Sequence, residues 1–248
     1  MPTLTILRTD SVMDDFQPEF GDYPQMFRDL IERVVPGMQV DEIDARVALP
    51  SGVNSDFYLI TGSRHSVYDD LPWISNLVDF LRTALDAGAK IIGICFGHQL
   101  MAHFFGGEVG PADAGWGVGV HTSMVNTETP WLNDSEKAEP VRLLVSHKDQ
   151  VKELPEQAQV YLGSDFCPVG GFTLGSQIVT VQGHPEFEPG YSRALMNFRR
   201  EILGETTWQQ GMDSLSQALD SERVLAWMFR FLELDGVTSA AEAAVEQR

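Results

Sequence analysis

The sequence predicts an α/β protein whose central, mostly parallel sheet carries helices on both faces. In the first hundred residues, short apolar runs of the kind found in buried strands alternate with segments whose apolar residues recur every three or four positions. This alternation is typical of parallel strands joined by crossover helices. A length of 248 residues with 43% hydrophobic residues is enough for one large core with an appendage.

The first half of the chain predicts strands, a loop and helices in regular succession. Each helix is predicted from apolar residues on one face, and each strand from a short apolar run next to turn-forming residues. The segment 72–86 is a clear amphipathic helix that Ala87 and Gly88 end. The predicted elements are strand 3–8, loop 10–23, helix 24–35, strands 38–43 and 57–60, and helix 72–86.

The stretch 89–107 predicts a strand that turns abruptly into a helix around Cys95. The apolar residues at 91–94 indicate a buried strand, and good helix formers follow at 99–102. Gly93 and Gly97 lie two residues before and two after Cys95, which is the spacing of a nucleophile elbow. Cys95 would then lie at a helix N-terminus, which favours an anion. The alternative is a buried, small apolar cysteine, the commonest role of a free thiol.

A second pattern, far along the chain, decides between these two interpretations. Residues 178–182 predict another strand, which leads directly into the sequence GHPEF at 183–187. His184 at a strand end, with Glu186 two residues later, can act as a general base whose tautomer the carboxylate fixes. We therefore expect Cys95 and His184 to meet at one edge of the sheet.

The second half of the chain predicts a mixed or antiparallel part of the sheet, followed by helices. Residues 191–203 predict one helix and residues 208–234 two more, with Asp220 capping the second. Trp227 and Phe229 fall outside the apolar stripe of that last helix, so it is either buried on the parent domain, which we prefer, or covered by a second copy in a homodimer. The predicted strands are 118–125, 141–146, 160–164, 172–174 and 178–182.

The motifs GICFGHQ at 93–99 and QGHPEF at 182–187 resemble those of the class I (triad) glutamine amidotransferases, in particular the stand-alone, GMP-synthetase-like branch that includes γ-glutamyl peptidases. Matching segments at 60–63, 106–107, 116–119 and 146–151 extend the resemblance over residues 50–190. It implies a flavodoxin-like three-layer fold. We expect the amidotransferase domain at 1–204 and a C-terminal helical extension packed on it at 205–248.

The resemblance implies a catalytic triad of Cys95, His184 and Glu186. It also implies an oxyanion hole formed by the backbone N–H groups of Phe96 and of the Gly62–Ser63 loop, although Ser63 and Arg64 stand where family members often have glycine or proline. Substrate-binding roles are implied for Gln99, Ser146 and His147. Gln99 could instead be purely structural, and His147 could serve only to shape its loop.

Three functions are compatible with the sequence. The first is hydrolysis of the γ-amide of glutamine, releasing ammonia and glutamate through a γ-glutamyl thioester, with the ammonia passed to a separate synthetase subunit. The second is a stand-alone γ-glutamyl peptidase or hydrolase. The third, which an intact triad disfavours, is a catalytically silent regulatory module. No cofactor is expected: the sequence SGVNSD at 51–56 is no phosphate-binding loop, and no GxxxxGK[ST] motif occurs.

Charge and cysteine content exclude other classes of protein. With 17 Lys and Arg against 36 Asp and Glu, the net charge of −19 disfavours binding to nucleic acid or to anionic membranes. Two cysteines make no disulfide framework, and the chain starts without a signal-peptide pattern, so we expect a cytoplasmic protein. No histidine or cysteine pair has metal-ligand spacing, so no metal is expected.

Overall fold

The computed structural model describes residues 2–234. Its strands are β1 (Thr3–Arg8), β2 (Gln39–Asp44), β3 (Phe57–Ile60), β4 (Lys90–Ile94), β5 (Glu108–Pro111), β6 (Gly117–Val125), β7 (Val141–His147), β8 (Asp149–Glu153), β9 (Ala158–Gly163), β10 (Gly171–Leu174) and β11 (Ile178–Val181). Its helices are α1 (Gln17–Phe20), α2 (Tyr23–Val34), α3 (Pro72–Asp86), α4 (Phe96–Phe104), α5 (Asp134–Ala138), α6 (Pro189–Phe198), α7 (Arg200–Leu203), α8 (Glu205–Ser214) and α9 (Ser221–Phe231).

The main sheet has nine strands in the order β2-β1-β3-β4-β11-β10-β9-β6-β7. The five strands from β2 to β11 run parallel to their neighbours, whereas β10, β9, β6 and β7 pair in antiparallel fashion. Strand β11 pairs directly with β4, and the register places Val181 beside Ile94. The carboxyl ends of these two central strands therefore meet at one edge, as the sequence predicted for the segments that precede Cys95 and His184.

The sheet separates two hydrophobic layers, which confirms the α/β fold with helices on both faces. On β1, Leu4 and Ile6 pack into one layer with α2 and α9, whereas Leu7 packs into the other with α3 and α4. This alternation follows from the two-residue period of a strand. Both faces of each central strand are covered, so these strands consist of continuous apolar runs.

Several short elements differ from the predictions. The predicted loop 10–23 contains the single turn α1, and the predicted helix 191–203 breaks at Arg199 into α6 and α7. The antiparallel pair of β5 and β8 and the short helix α5 were not predicted, because these segments of four or five residues carry few apolar side chains.

Helix α9, the last one in residues 2–234, buries its apolar residues within the chain. The side chains of Trp227 and Phe229 are both buried, and α9 packs beside α2. The apolar face of α9 is thus covered by the chain itself, as preferred in the sequence analysis over cover by a second copy in a homodimer. Asp220 occupies the N-cap position of α9, but the predicted side-chain cap is absent: its carboxylate accepts a hydrogen bond from Arg142 N of β7 at 2.8 Å. No helix in residues 2–234 has the length and apolarity to cross a membrane.

Candidate active site

Cys95 lies at the single-residue junction between β4 and α4. Its backbone has φ 49° and ψ −93°, a conformation that non-glycine residues rarely adopt and that costs on the order of 1–3 kcal/mol. A Cβ at Gly93 would lie 2.7 Å from the backbone of Gly97, and a Cβ at Gly97 would lie 2.7 Å from the carbonyl oxygen of Ile60. Only glycine fits these two positions, which explains the spacing seen in the sequence.

His184 follows β11 and is fixed from three directions. Its backbone N–H donates to the carbonyl of Leu144 in β7 at 2.8 Å, and its Nδ1 lies 2.7 Å from Oε1 of Glu186. The ring stacks on Phe187, with centroids 3.9 Å apart and planes 12° from parallel. Since Nδ1 is engaged by the carboxylate, the other ring nitrogen is left for a proton exchange with the neighbouring Cys95 side chain.

The neighbouring Glu186 and Cys95 favour the imidazolium form of His184. Complete burial lowers the pKa of His184, but the charges of Glu186 and Cys95, and the hydrogen bonds to both, outweigh burial and raise the pKa to about 10. The carboxylate of Glu186 and the side chain of Cys95 therefore favour the protonated ring over the neutral one.

The Thr61–Ser63 loop approaches both of these side chains. A Cβ at Gly62 would lie 2.8 Å from Cε1 of His184 and 3.6 Å from Cβ of Cys95. Thr9, at the end of β1, fixes the loop: its hydroxyl donates to the carbonyl of Gly62 at 3.0 Å, and its own carbonyl accepts from Oγ of Ser63 at 3.1 Å. Among the hydrogen bonds of residues 2–234, none uses the N–H of Gly62 or Ser63 as donor, which leaves both available to an oxyanion.

Arg64, which with Ser63 stands where family members often have glycine or proline, is held in place by Asp10. Its backbone N–H and its Nε both donate to Oδ2 of Asp10, at 2.9 and 2.7 Å. Asp10 is buried and also pairs with Arg46. The loop is thus held at both ends, by Thr9 and by Asp10, neither of which the sequence pattern indicated.

Gln182, the first residue of the QGHPEF motif, contacts the sulfur. Its Nε2 lies 3.5 Å from Sγ of Cys95, and its Oε1 accepts from Nε2 of Gln99 at 3.0 Å. Gln99 also donates to the carbonyl of Asp149 at 2.8 Å, so both donors of its amide have partners within the protein. The only sequence signal for Gln182 is its place at a strand end, two residues before His184.

A cavity of about 200 Å³ opens beside Cys95 and His184. Of the predicted site residues, Gly62, Ser63 and Ser146 also line it, while Phe96, Gln99, His147 and Glu186 lie outside its lining. His147 is buried, its Nδ1 is 3.1 Å from the carbonyl of Asp149, and burial lowers its pKa to about 3. Side chains that the sequence did not indicate complete the wall, among them Tyr23, Arg64, Tyr191, Phe198 and Arg199.

The model of the family "Glutamine amidotransferase class-I" matches residues 32–202, more than half of the chain. The chain belongs to this family. As a class I glutamine amidotransferase family member it shares its fold with a glutamine amidotransferase from Thermotoga maritima, with a TM-score of 0.74 over 94% of this chain and 100% of the other. The sequence identity of 17% makes that likeness one of fold.

Relatives of this amidotransferase-family chain include a gamma-glutamyl peptidase and a GMP synthase subunit. Gamma-glutamyl peptidase 3 of Arabidopsis thaliana is 31% identical over 159 residues, which cover 62% of this chain and 61% of the relative. A GMP synthase (glutamine-hydrolyzing) subunit of Pyrococcus furiosus is 44% identical over 99 residues, which cover 39% of this chain and 50% of the relative. The chain thus aligns with less than two thirds of the length of each.

No metal centre emerges from the part of the chain that the structure describes. Within residues 2–234, no group of three His, Cys, Asp or Glu side chains could hold a metal ion. His98 is buried instead against Thr180, with Nδ1 2.9 Å from the hydroxyl, and burial lowers its pKa to about 3.

Proposed function

We propose that this chain is a cysteine-dependent hydrolase of γ-glutamyl amide bonds, with glutamine as the simplest substrate and Cys95, His184 and Glu186 as the catalytic triad. The observation that carries the proposal is the position of His184, whose Nδ1 is hydrogen-bonded to the carboxylate of Glu186 and whose ring lies with Cys95 in the wall of one cavity. A nucleophile, a base and a group that orients the base are the parts that acyl transfer needs.

In the first half-reaction the Cys95 thiolate attacks the γ-carbonyl carbon. The oxyanion accepts hydrogen bonds from the N–H of Phe96, the first residue of α4, and from the Gly62–Ser63 loop. As the carbon–nitrogen bond breaks, the His184 imidazolium gives its proton to the departing amine. The products are a γ-glutamyl thioester on Cys95, the free amine and a neutral His184.

In the second half-reaction water releases the glutamyl group. Neutral His184 removes a proton from water as the oxygen attacks the thioester carbon, and the carbon–sulfur bond breaks to return the thiolate. Glutamate leaves, and His184 is again an imidazolium. Glu186 holds the ring in one orientation and stabilises its charged form throughout both half-reactions.

Two uses of this chemistry compete. As a glutaminase, the chain would deliver ammonia to a separate synthetase, and its likeness to the GMP synthase polypeptide of Pyrococcus furiosus supports this use. As a γ-glutamyl peptidase, it would release a larger amine. The second use is supported by the likeness of the chain to gamma-glutamyl peptidase 3 of Arabidopsis thaliana.

Turnover of the purified chain on glutamine and on γ-glutamyl dipeptides, with ammonia and glutamate measured separately, tests the proposal. Cys95→Ala should abolish hydrolysis while the circular dichroism spectrum is unchanged, and Cys167→Ala, the other buried cysteine, is the matched control. Activity that survives in Cys95→Ala would refute the assignment of the nucleophile. Rapid dipeptide cleavage with negligible ammonia release from glutamine would exclude the ammonia-donor use.

A further inference from the structure

Arg199 presents a guanidinium to the cavity beside Cys95. It is half-buried at the junction of α6 and α7, and its Nη1 donates to Oγ of Ser146 at 2.8 Å. Its Cζ lies 5.6 Å from the ring centroid of Trp116. A guanidinium carries five N–H donors, so these two contacts fix its position and leave most of its donors unused.

Arg199 forms no ion pair with any carboxylate in residues 2–234, although the chain has a net charge of −19. The other arginine of the cavity, Arg64, is already paired with Asp10. An oriented arginine without a counter-ion, facing a cavity, is the arrangement that binds a carboxylate by charge-assisted hydrogen bonds.

The wall next to Arg199 is apolar. Leu195, one helical turn earlier, lines the cavity, and so does Phe198, whose side chain is 65% exposed and meets Phe16 edge to face at 6.2 Å. Phe187 and Tyr191 continue this surface towards His184. A ligand group bound here would therefore combine a carboxylate with apolar carbon.

The glutamyl half of a substrate does not match this region. Its head carries an α-ammonium beside the α-carboxylate, and a free carboxylate would be the strongest partner for that ammonium. Asp10 is the acidic side chain that lines the cavity, and Arg46 and Arg64 already occupy its oxygens. The departing amine of a γ-glutamyl dipeptide has no such requirement: on that half, an apolar side chain adjoins a single carboxylate.

We propose that Arg199 binds the free carboxylate of the leaving amino acid, so that the preferred substrates are γ-glutamyl dipeptides whose second residue is apolar. This inference rests on the proposed γ-glutamyl hydrolysis and specifies its leaving group. Ser146 and Trp116 act as positioning residues for the guanidinium. Arg199 contacts the substrate away from the reacting atoms, so it contributes to binding rather than to the chemical step.

The test compares γ-glutamyl-leucine with γ-glutamyl-leucinamide, whose leaving groups end in a carboxylate and in a neutral amide. We expect kcat/KM of the unmodified chain to favour the free acid by about 10- to 100-fold, the range of one charge-assisted hydrogen-bonding contact. Arg199→Met should remove this preference by slowing the acid and leaving the amide nearly unchanged, chiefly through KM. Arg199→Lys should restore part of the preference for the acid, because lysine carries the positive charge but lacks the planar guanidinium that donates two parallel hydrogen bonds.

Arg200→Met is the matched control. Arg200 is adjacent but pairs with Glu205 and stacks on Trp208, outside the cavity lining, so this variant should keep the full preference. The inference is overturned if the unmodified chain treats acid and amide alike, or if Arg199→Met slows both equally, because Arg199 would then serve the glutamyl half or only the fold.

A binding measurement separates this inference from the proposed function. Titration of the two dipeptides into Cys95→Ala protein by calorimetry should show tighter binding of the acid, and the difference should vanish in the double variant Cys95→Ala, Arg199→Met. Preferential binding without turnover of any substrate by the unmodified chain would refute the hydrolase and support the carboxylate site. Turnover without preferential binding of the acid would support the hydrolase and refute the carboxylate site.

Discussion

Replacing Gly62 with alanine should impair catalysis through a single steric contact with His184. The new Cβ would lie 2.8 Å from Cε1 of the ring, whereas ordinary van der Waals contact begins at 3.4 Å, so the ring must retreat by at least 3.4 − 2.8 = 0.6 Å. Gly62 does not have a positive φ, so the alanine backbone itself is unstrained. The ring cannot move freely, because Glu186 holds Nδ1 at 2.7 Å and Phe187 covers one face of the imidazole.

The expected loss of activity follows from this displacement. Misplacing a catalytic group by about 1 Å can cost roughly 100-fold. A shift of 0.6 Å or more should therefore lower kcat/KM by about 10- to 100-fold, which corresponds to about 1.4–2.7 kcal/mol in the activation barrier. The same crowding should cost about 1–3 kcal/mol of folding stability, an overpacking effect that lowers Tm by a few degrees in a chain of this size.

Steady-state kinetics on the best γ-glutamyl substrate, with Tm measured on the same samples, tests this prediction. Gly110→Ala is the matched control, since a Cβ there meets nothing within 4 Å, and it should change neither quantity. Wild-type kcat/KM in a folded Gly62→Ala protein would refute the close packing of the loop against His184. Unfolding of Gly62→Ala at the assay temperature would show that the loop is chiefly structural.

Four further predictions concern the proposed triad and helix α9. Glu186→Gln should lower kcat/KM less than His184→Ala, since an amide can still orient the ring; equal or reversed losses contradict the orienting role. The pKa of His184 in the folded protein is about 10 against 6.5 when unperturbed, so its contribution to stability should be complete below about pH 6.5 and lost as pH rises through 10, measurable by denaturation at several pH values. Cys95→Ala should lower that pKa, as an NMR titration of the imidazole would show, because the interaction with Cys95 that raises the pKa is removed. Trp227→Ala should destabilise the fold by about 3–5 kcal/mol in denaturant titrations, since the buried indole also donates to Glu136 at 2.8 Å; a loss below 1 kcal/mol would mean that α9 contributes little.

The elbow was predictable because its constraints are local. β4 ends at Ile94 and α4 begins at Phe96, and the glycines that allow this turn, Gly93 and Gly97, contact each other across four residues. The same holds for His184 and Glu186, whose contact spans two residues. Adjacent parallel strands then bring the two segments together, because β11 pairs with β4. Pattern within short windows was thus enough to predict the fold class and the meeting of Cys95 with His184.

The cavity wall was not predictable, because its residues are brought together only by tertiary contacts. Asp10 and Arg64 are 54 positions apart, and Ser146 and Arg199 are 53 apart. Among 36 acidic and 17 basic residues, no local pattern distinguishes these from solvated surface charges. Asp220 shows the opposite error: a local rule predicted a helix cap, but a long-range partner, the N–H of Arg142, takes the carboxylate.

Helix α8, which begins just beyond residue 204, is tied to the candidate active site through the sheet. Ser214 of α8 accepts from the N–H of Val120 in β6 at 2.8 Å, and a Cβ at Gly119 would lie 2.6 Å from the carbonyl of Gly211, so α8 lies directly on β6. β6 pairs along its length with β7, and Leu144 of β7 accepts the backbone N–H of His184. We therefore propose that the segment 205–234 forms one folding unit with the catalytic domain. The position of the His184 imidazole relative to Cys95 then depends on the packing of residues that follow position 202, where the match to the family model ends.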